Sequence, residues 1–199
     1  MKKILFLFAF IACAAFSTYA QDEFFSAPDY SQIERNIKEA SSSYYYPKLM
    51  ERYMAGDEKM TLEDGRHLYF GFIYQPNYMP VDTSSYNNEL AKALSKKTFS
   101  PDDYSRILEY SNALLLEDPF NLRALNAKLL VYAQQNNSGE YKKVAQQRRI
   151  VQNAIAGTGD GMSDKTPFYV IKVAHEYDIL PFFGYNFGGG DKILSSKKS

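Results

Sequence analysis

The chain has 199 residues, 23 Lys and Arg against 23 Asp and Glu, one Cys and no Trp, with 17 Tyr and 14 Phe. That length favours one domain over several. Without a basic excess to displace counterions from phosphates, nucleic acid is excluded as a partner, and a single Cys excludes a disulfide-stapled scaffold.

The first element is a targeting segment. Lys2 and Lys3 precede residues 4–16, an apolar run broken only by Cys13. Ser17-Thr18-Tyr19-Ala20 then places small residues where signal peptidase cuts. A membrane-spanning helix needs ~20 apolar residues, and this run is too short. The expectation is a signal peptide over residues 1–20, cleaved after Ala20, and a mature chain in the periplasm or at the cell surface of a Gram-negative bacterium, with no transmembrane segment. A rival exists in Phe10-Ile11-Ala12-Cys13, which loosely resembles a lipoprotein box and would leave a lipidated Cys13. Against it, Phe10 stands where a branched aliphatic is preferred, and the apolar run continues past the cysteine. Cleavage after Ala20 leaves 21 basic and 23 acidic side chains and no Cys. Residues 21–199 then form a single domain that rests on its core alone.

Helical spacing dominates from there to residue 156. Tyr30, Ile33 and Ile37 mark a helix over residues 29–40 that Ser41-Ser42-Ser43 breaks. Pro47 opens a second, with Tyr46, Leu49, Met50 and Tyr53 inward, and Gly56 ends it. Thr61 caps a third, with Glu63 and Asp64 in its first turn, until Pro76 and Pro80 stop it. Residues 86–97 form a fourth, and Ser100-Pro101-Asp102-Asp103 is the strongest start signal in the chain. Residues 113–121 (ALLLEDPFN), followed by residues 122–135, resemble the junction between two tetratricopeptide repeats. Gly139 makes the turn to an antiparallel partner through Tyr141, Val144, Val151 and Ile155. Solenoids need ~3 repeats or more, and no second copy occurs.

The texture changes after Gly157. Residues 157–161 read as a loop, and residues 168–173 (FYVIKV) are β-branched and aromatic enough for a strand. Residues 182–187 (FFGYNF) would pair with it, three glycines and a short apolar stretch to residue 194 would follow, and residues 195–199 read as a disordered tail. A helix over residues 168–177 is the competing reading. The expected fold is therefore mainly α: a tetratricopeptide-like antiparallel helical bundle with a small C-terminal β-hairpin, α+β overall.

Three segments carry a family resemblance: residues 66–76 (RHLYFGFIYQP), residues 119–126 (PFNLRALN), and Gly159-Asp160-Gly161 with the later His175-Glu176-Tyr177-Asp178. Together they resemble a domain-of-unknown-function family, DUF4919, of secreted proteins from Bacteroides-type bacteria. The resemblance covers nearly all of the mature chain. It implies an envelope location and a helical body, and it implies no activity.

The residues that could carry chemistry are few. His175-Glu176 suggests a zinc-protease helix, but the second histidine four positions on is Ile179. His67 is the only other imidazole. A hydrogen-bonded structural histidine is the plainer reading of both. Residues 157–166 (GTGDGMSDKT) imitate a phosphate loop, yet Asp164 stands where glycine is required. Asp160 and Asp164 lack the acid alternation of a calcium loop. No Gly-x-Ser-x-Gly elbow occurs. Arg66, Arg123 and Asn126 lie close to apolar helical positions, where an arginine pairs with a carboxylate at a helix junction or lays its stem along the core. Their alternative is a polar groove that grips a peptide. The Tyr-rich composition reads as half-buried helix faces with hydroxyls in water, against a Tyr-rich binding surface.

No catalytic residue, metal or cofactor is expected. The leading expectation is a non-catalytic helical domain that binds a protein or peptide, with Arg66, His67, Arg123, Asn126, His175, Glu176 and Asp178 as the side chains to watch. The alternative is a hydrolase of envelope polymers with its site around His175 and Glu176.

Overall fold

Most helices of this protein begin where a short polar side chain can accept a free backbone N–H, so local chemistry sets their boundaries. The structure is a computed structural model and describes residues 25–81 and 83–185. Asp29 starts α1 (Tyr30–Lys38) by accepting the Gln32 N–H at 2.9 Å. In α2 (Tyr46–Ala55), Pro47 sits in the first turn and Gly56 closes the helix with a φ of 70°. Reciprocal capping boxes open α3 (Leu62–Gly71) and α5 (Pro101–Glu117), with Thr61 paired to Asp64 and Ser100 to Asp103. Between them lie a 3-10 turn (Phe72–Tyr74) and α4 (Tyr86–Leu94). Asn121 and Asn137 cap α6 (Leu122–Gln134) and α7 (Ser138–Ala156). The short α8 (Val173–Ile179) runs into a second 3-10 turn (Leu180–Phe183).

Two expectations fail here. Gly139 lies inside the first turn of α7; the reversal belongs to Asn136, whose φ is 53°, and to the Asn137 cap. A short polar side chain tolerates that left-handed conformation better than most. The expected β-hairpin is the larger miss, because no β-strand occurs among the described residues. Residues 167–170 pair with no strand, the next helix starts at Val173, and Phe182 and Phe183 belong to the 3-10 turn. β-branched and aromatic content signals fit to a half-buried surface. Here that surface is the helical core, against which Phe168, Tyr169 and Val170 pack while Ile171 is buried. Residues 1–24, and the part of the hairpin and tail over residues 186–199, lie outside the described residues.

The core has two parts that share one helix. The larger gathers apolar side chains of α1, α2, α3, α6 and α7 together with Ile171 and Ile179. The smaller joins Leu90 of α4, Ile107 and Leu114 of α5, and a second face of α6. On α6, Leu122, Leu125 and Leu129 face the first cluster, and Ala124, Ala127 and Val131 face the second. Both triplets keep helical spacing, so α6 is apolar on two sides and forms the spine. No described helix is long and apolar enough to cross a membrane.

Phe120 sits fully buried among Tyr53, Tyr69 and Phe72, with ring centroids 5.3 to 5.6 Å away. Three tyrosine hydroxyls end on backbone carbonyls rather than in water: Tyr53 on Pro119, Tyr74 on Tyr30, and Tyr78 on Ile171. Several of the tyrosines are thus tethers between distant segments.

Candidate functional site

Asp118 terminates α5, where the helix dipole is negative and an acid is locally unfavourable. Its compensation comes from the C-terminal part of the chain. The Nε2 of His175 lies 2.9 Å from Asp118 Oδ2, and the Lys172 ammonium lies 3.4 Å from the same oxygen. The other oxygen, Oδ1, accepts the Phe120 N–H at 3.1 Å. On the far side of the ring, Nδ1 of His175 is 2.9 Å from the Tyr69 hydroxyl, which accepts the Ile171 N–H at 3.3 Å. With that acceptance made, Tyr69 donates to Nδ1 and Nε2–H donates to Asp118. α3, the end of α5 and the start of α8 are thereby fastened at one point.

The ordering of hydroxyl, imidazole and carboxylate matches that of a nucleophile relay, which is recognised by geometry and roles. The surroundings do not match. Relative exposure is 0% for Tyr69, 1% for His175, 3% for Asp118 and 5% for Lys172. Burial foremost pushes the Tyr69 phenol well above its ordinary range, with the Asp118 charge adding to it. Burial foremost opposes ionisation of Asp118, but the hydrogen bond from His175, then the Lys172 charge and the Phe120 N–H, outweigh it and hold the carboxyl below its usual range. A phenol so disfavoured as an anion, already bonded on both sides and without solvent, is a brace.

His67 is closed in the same way. Its Nδ1 donates to the Glu63 carbonyl at 2.9 Å, its Nε2 accepts from Asn36 at 3.0 Å, and its ring stacks on Tyr44 at 3.8 Å. It does not join His175. Arg66 is buried with Nη2 on the carbonyls of Ser26 and Ala27, pinning the entering chain, and its guanidinium stands over Phe70. Glu176 is exposed on the outer side of α8. Among the described residues, no three His, Cys, Asp or Glu side chains converge as a metal site.

The remaining watched side chains do meet. Arg123, Asn126 and Asp178 line one open hollow of about 270 Å³, edged by Leu130 and Tyr177. Arg123 Nη2 pairs with Asp178 Oδ1 at 3.0 Å, tying α6 to α8, and Asn126 Oδ1 accepts from Arg148 at 2.9 Å, tying α6 to α7. The Arg123 and Asp178 charges thus meet each other, and the Asn126 carbonyl meets Arg148. On the other flank of α6 lies a second hollow of about 250 Å³, walled by Leu115, Leu116, Lys128 and Lys143 among others. Neither Asp118, Lys172 nor Tyr69 stood out in the sequence as partners of His175, since they lie 57, 3 and 106 positions away. An acid at a helix C-terminus was the one local signal available.

A family model, Domain of unknown function (DUF4919), matches residues 31–195. The chain belongs to that family. No curated protein and no solved structure matches it.

Proposed function

We propose that this protein is a non-catalytic, exported helical domain that binds another protein or peptide in the cell envelope. One observation carries the reading. Both imidazoles are enclosed with both ring nitrogens engaged, while the open hollows lie along the two flanks of α6 and carry aliphatic side chains. Chemistry needs a reactive group within reach of a substrate, and binding needs desolvatable apolar surface. The features favour the second. Export rests on the basic, apolar and small-residue order of residues 1–20. The succession α5, α6, α7, in which short connections return each helix against the one before, supports a tetratricopeptide-like reading of that part of the fold.

The hydrolase alternative requires His175 to line a cleft beside Glu176. Against it stand the enclosed ring and the outward, exposed Glu176. Affinity capture of the tagged native protein from envelope extracts tests the binding reading. A partner retained through stringent washing supports it; an empty capture, with hydrolysis of envelope polymer by the purified chain that is lost in His175→Ala, contradicts it.

A further inference from the structure

The two hollows beside α6 differ in what their polar groups still lack. In the one bounded by Arg123 and Asp178, charge meets charge. The other sits where the ends of α2 and α5 approach α6 and α7. Leu125 and Val144 form its buried floor, and Met54 and Leu116 stand on its lips, 52% and 82% exposed. Leu116 is the most exposed large apolar side chain among the described residues. Two lysines, Lys128 and Lys143, and one acid, Glu140, are its ionisable walls. Among the described residues neither lysine enters an ion pair. Lys128 donates instead to the neutral Asn112 Oδ1 at 2.9 Å. Partial burial lowers its pKa, Glu140 acts against that shift, and Lys143 adds to it.

The wall is rigid. Gly56 takes a left-handed φ of 70°, and a Cβ there would stand 3.0 Å from the Lys143 backbone, so α2 closes directly on α7. The volume, about 250 Å³, falls below the ~300–1,000 Å³ of small-molecule sites. It suits one large side chain better than a cofactor.

We propose that this hollow receives a segment of a partner polypeptide in which a large apolar side chain stands beside an Asp or Glu. The apolar side chain fills the floor between Met54 and Leu116, and the carboxylate meets Lys128 and Lys143. The assignment rests on the protein-binding reading above and names the chemistry of the partner.

The test uses the full purified chain and an acetylated, amidated hexapeptide of alternating Leu and Glu, with its Lys-for-Glu and Gly-for-Leu counterparts and decanoate as a lipid-like control. Binding is followed by anisotropy and by amide shifts in α5, α6 and α7. The acidic peptide is expected to bind, the other probes to bind at least about tenfold more weakly, and Leu116→Gln and Lys128→Gln each to weaken the acidic peptide about tenfold with unchanged circular dichroism. No binding, binding indifferent to both substitutions, preference for decanoate, or shifts explained by self-association in sedimentation would overturn it. If envelope capture returns a partner that Leu116→Gln and Lys128→Gln retain, the hollow assignment falls and the broader reading stands. An empty capture together with no peptide binding ends both.

Discussion

Two regions of this molecule hold ionisable side chains against apolar ones, and they are built to opposite ends. At the junction of Tyr69, His175, Asp118 and Lys172 the hydroxyl, both imidazole nitrogens and both carboxylate oxygens have partners inside the fold. In the hollow between α5 and α7, neither lysine is ion-paired among the described residues, although Glu140 shares the wall, and Met54 and Leu116 stay largely exposed. The first arrangement resembles an active site in its list of residues. The second resembles nothing in particular, and yet it alone has something left to offer a ligand. A cluster of titratable groups is informative through what remains unsatisfied in it.

Substitutions at the two regions should separate them sharply. Asp118→Ala strips a buried carboxylate from Lys172 and His175 and should cost about 3–5 kcal/mol in chemical denaturation. The same group gives the protein an acid limb. Its folded carboxyl binds a proton less readily than in the unfolded chain, so its contribution is complete above about pH 4 and disappears as pH falls through the lower folded-state value. Asp118→Asn should therefore flatten part of that acid slope, which denaturation at a series of pH values would show. Tyr69→Phe leaves the Ile171 N–H and His175 Nδ1 without their common partner and should cost about 1–3 kcal/mol. Ser100→Ala, remote from both regions, removes one side of a capping box and should cost ~1 kcal/mol, which calibrates an ordinary local loss. Leu116→Gln should change stability by less than about 0.5 kcal/mol. A large loss there would mean that the hollow belongs to the core.

The legible part of this fold was the part that local chemistry controls. Ser100 with Asp103 and Thr61 with Asp64 announce their helices within four residues, and the structure has both boxes. The strand expected over residues 168–173 fails because a strand and an irregular run lying on a helical core ask for the same side chains; only the partner differs, and the partner is distant. His175 is visible in the sequence as an isolated imidazole, but its meaning lies in Asp118 and Tyr69, which no spacing rule connects to it. The hollow was less visible still, since Met54, Leu116, Lys128 and Lys143 form no motif and come together only when four helices close. Arg123 and Asp178 were both singled out separately, and their mutual ion pair reveals a structural use that either alone leaves open.

Both histidines are enclosed in the native state, with every ring nitrogen bonded inside the fold. Diethylpyrocarbonate modification of the folded chain, resolved site by site by mass spectrometry, addresses it directly. Both His67 and His175 should react only as fast as the protein unfolds, with rates that climb together in denaturant. Rapid modification of His175 in native buffer, ahead of global unfolding, would show that the junction opens to solvent and would contradict the account.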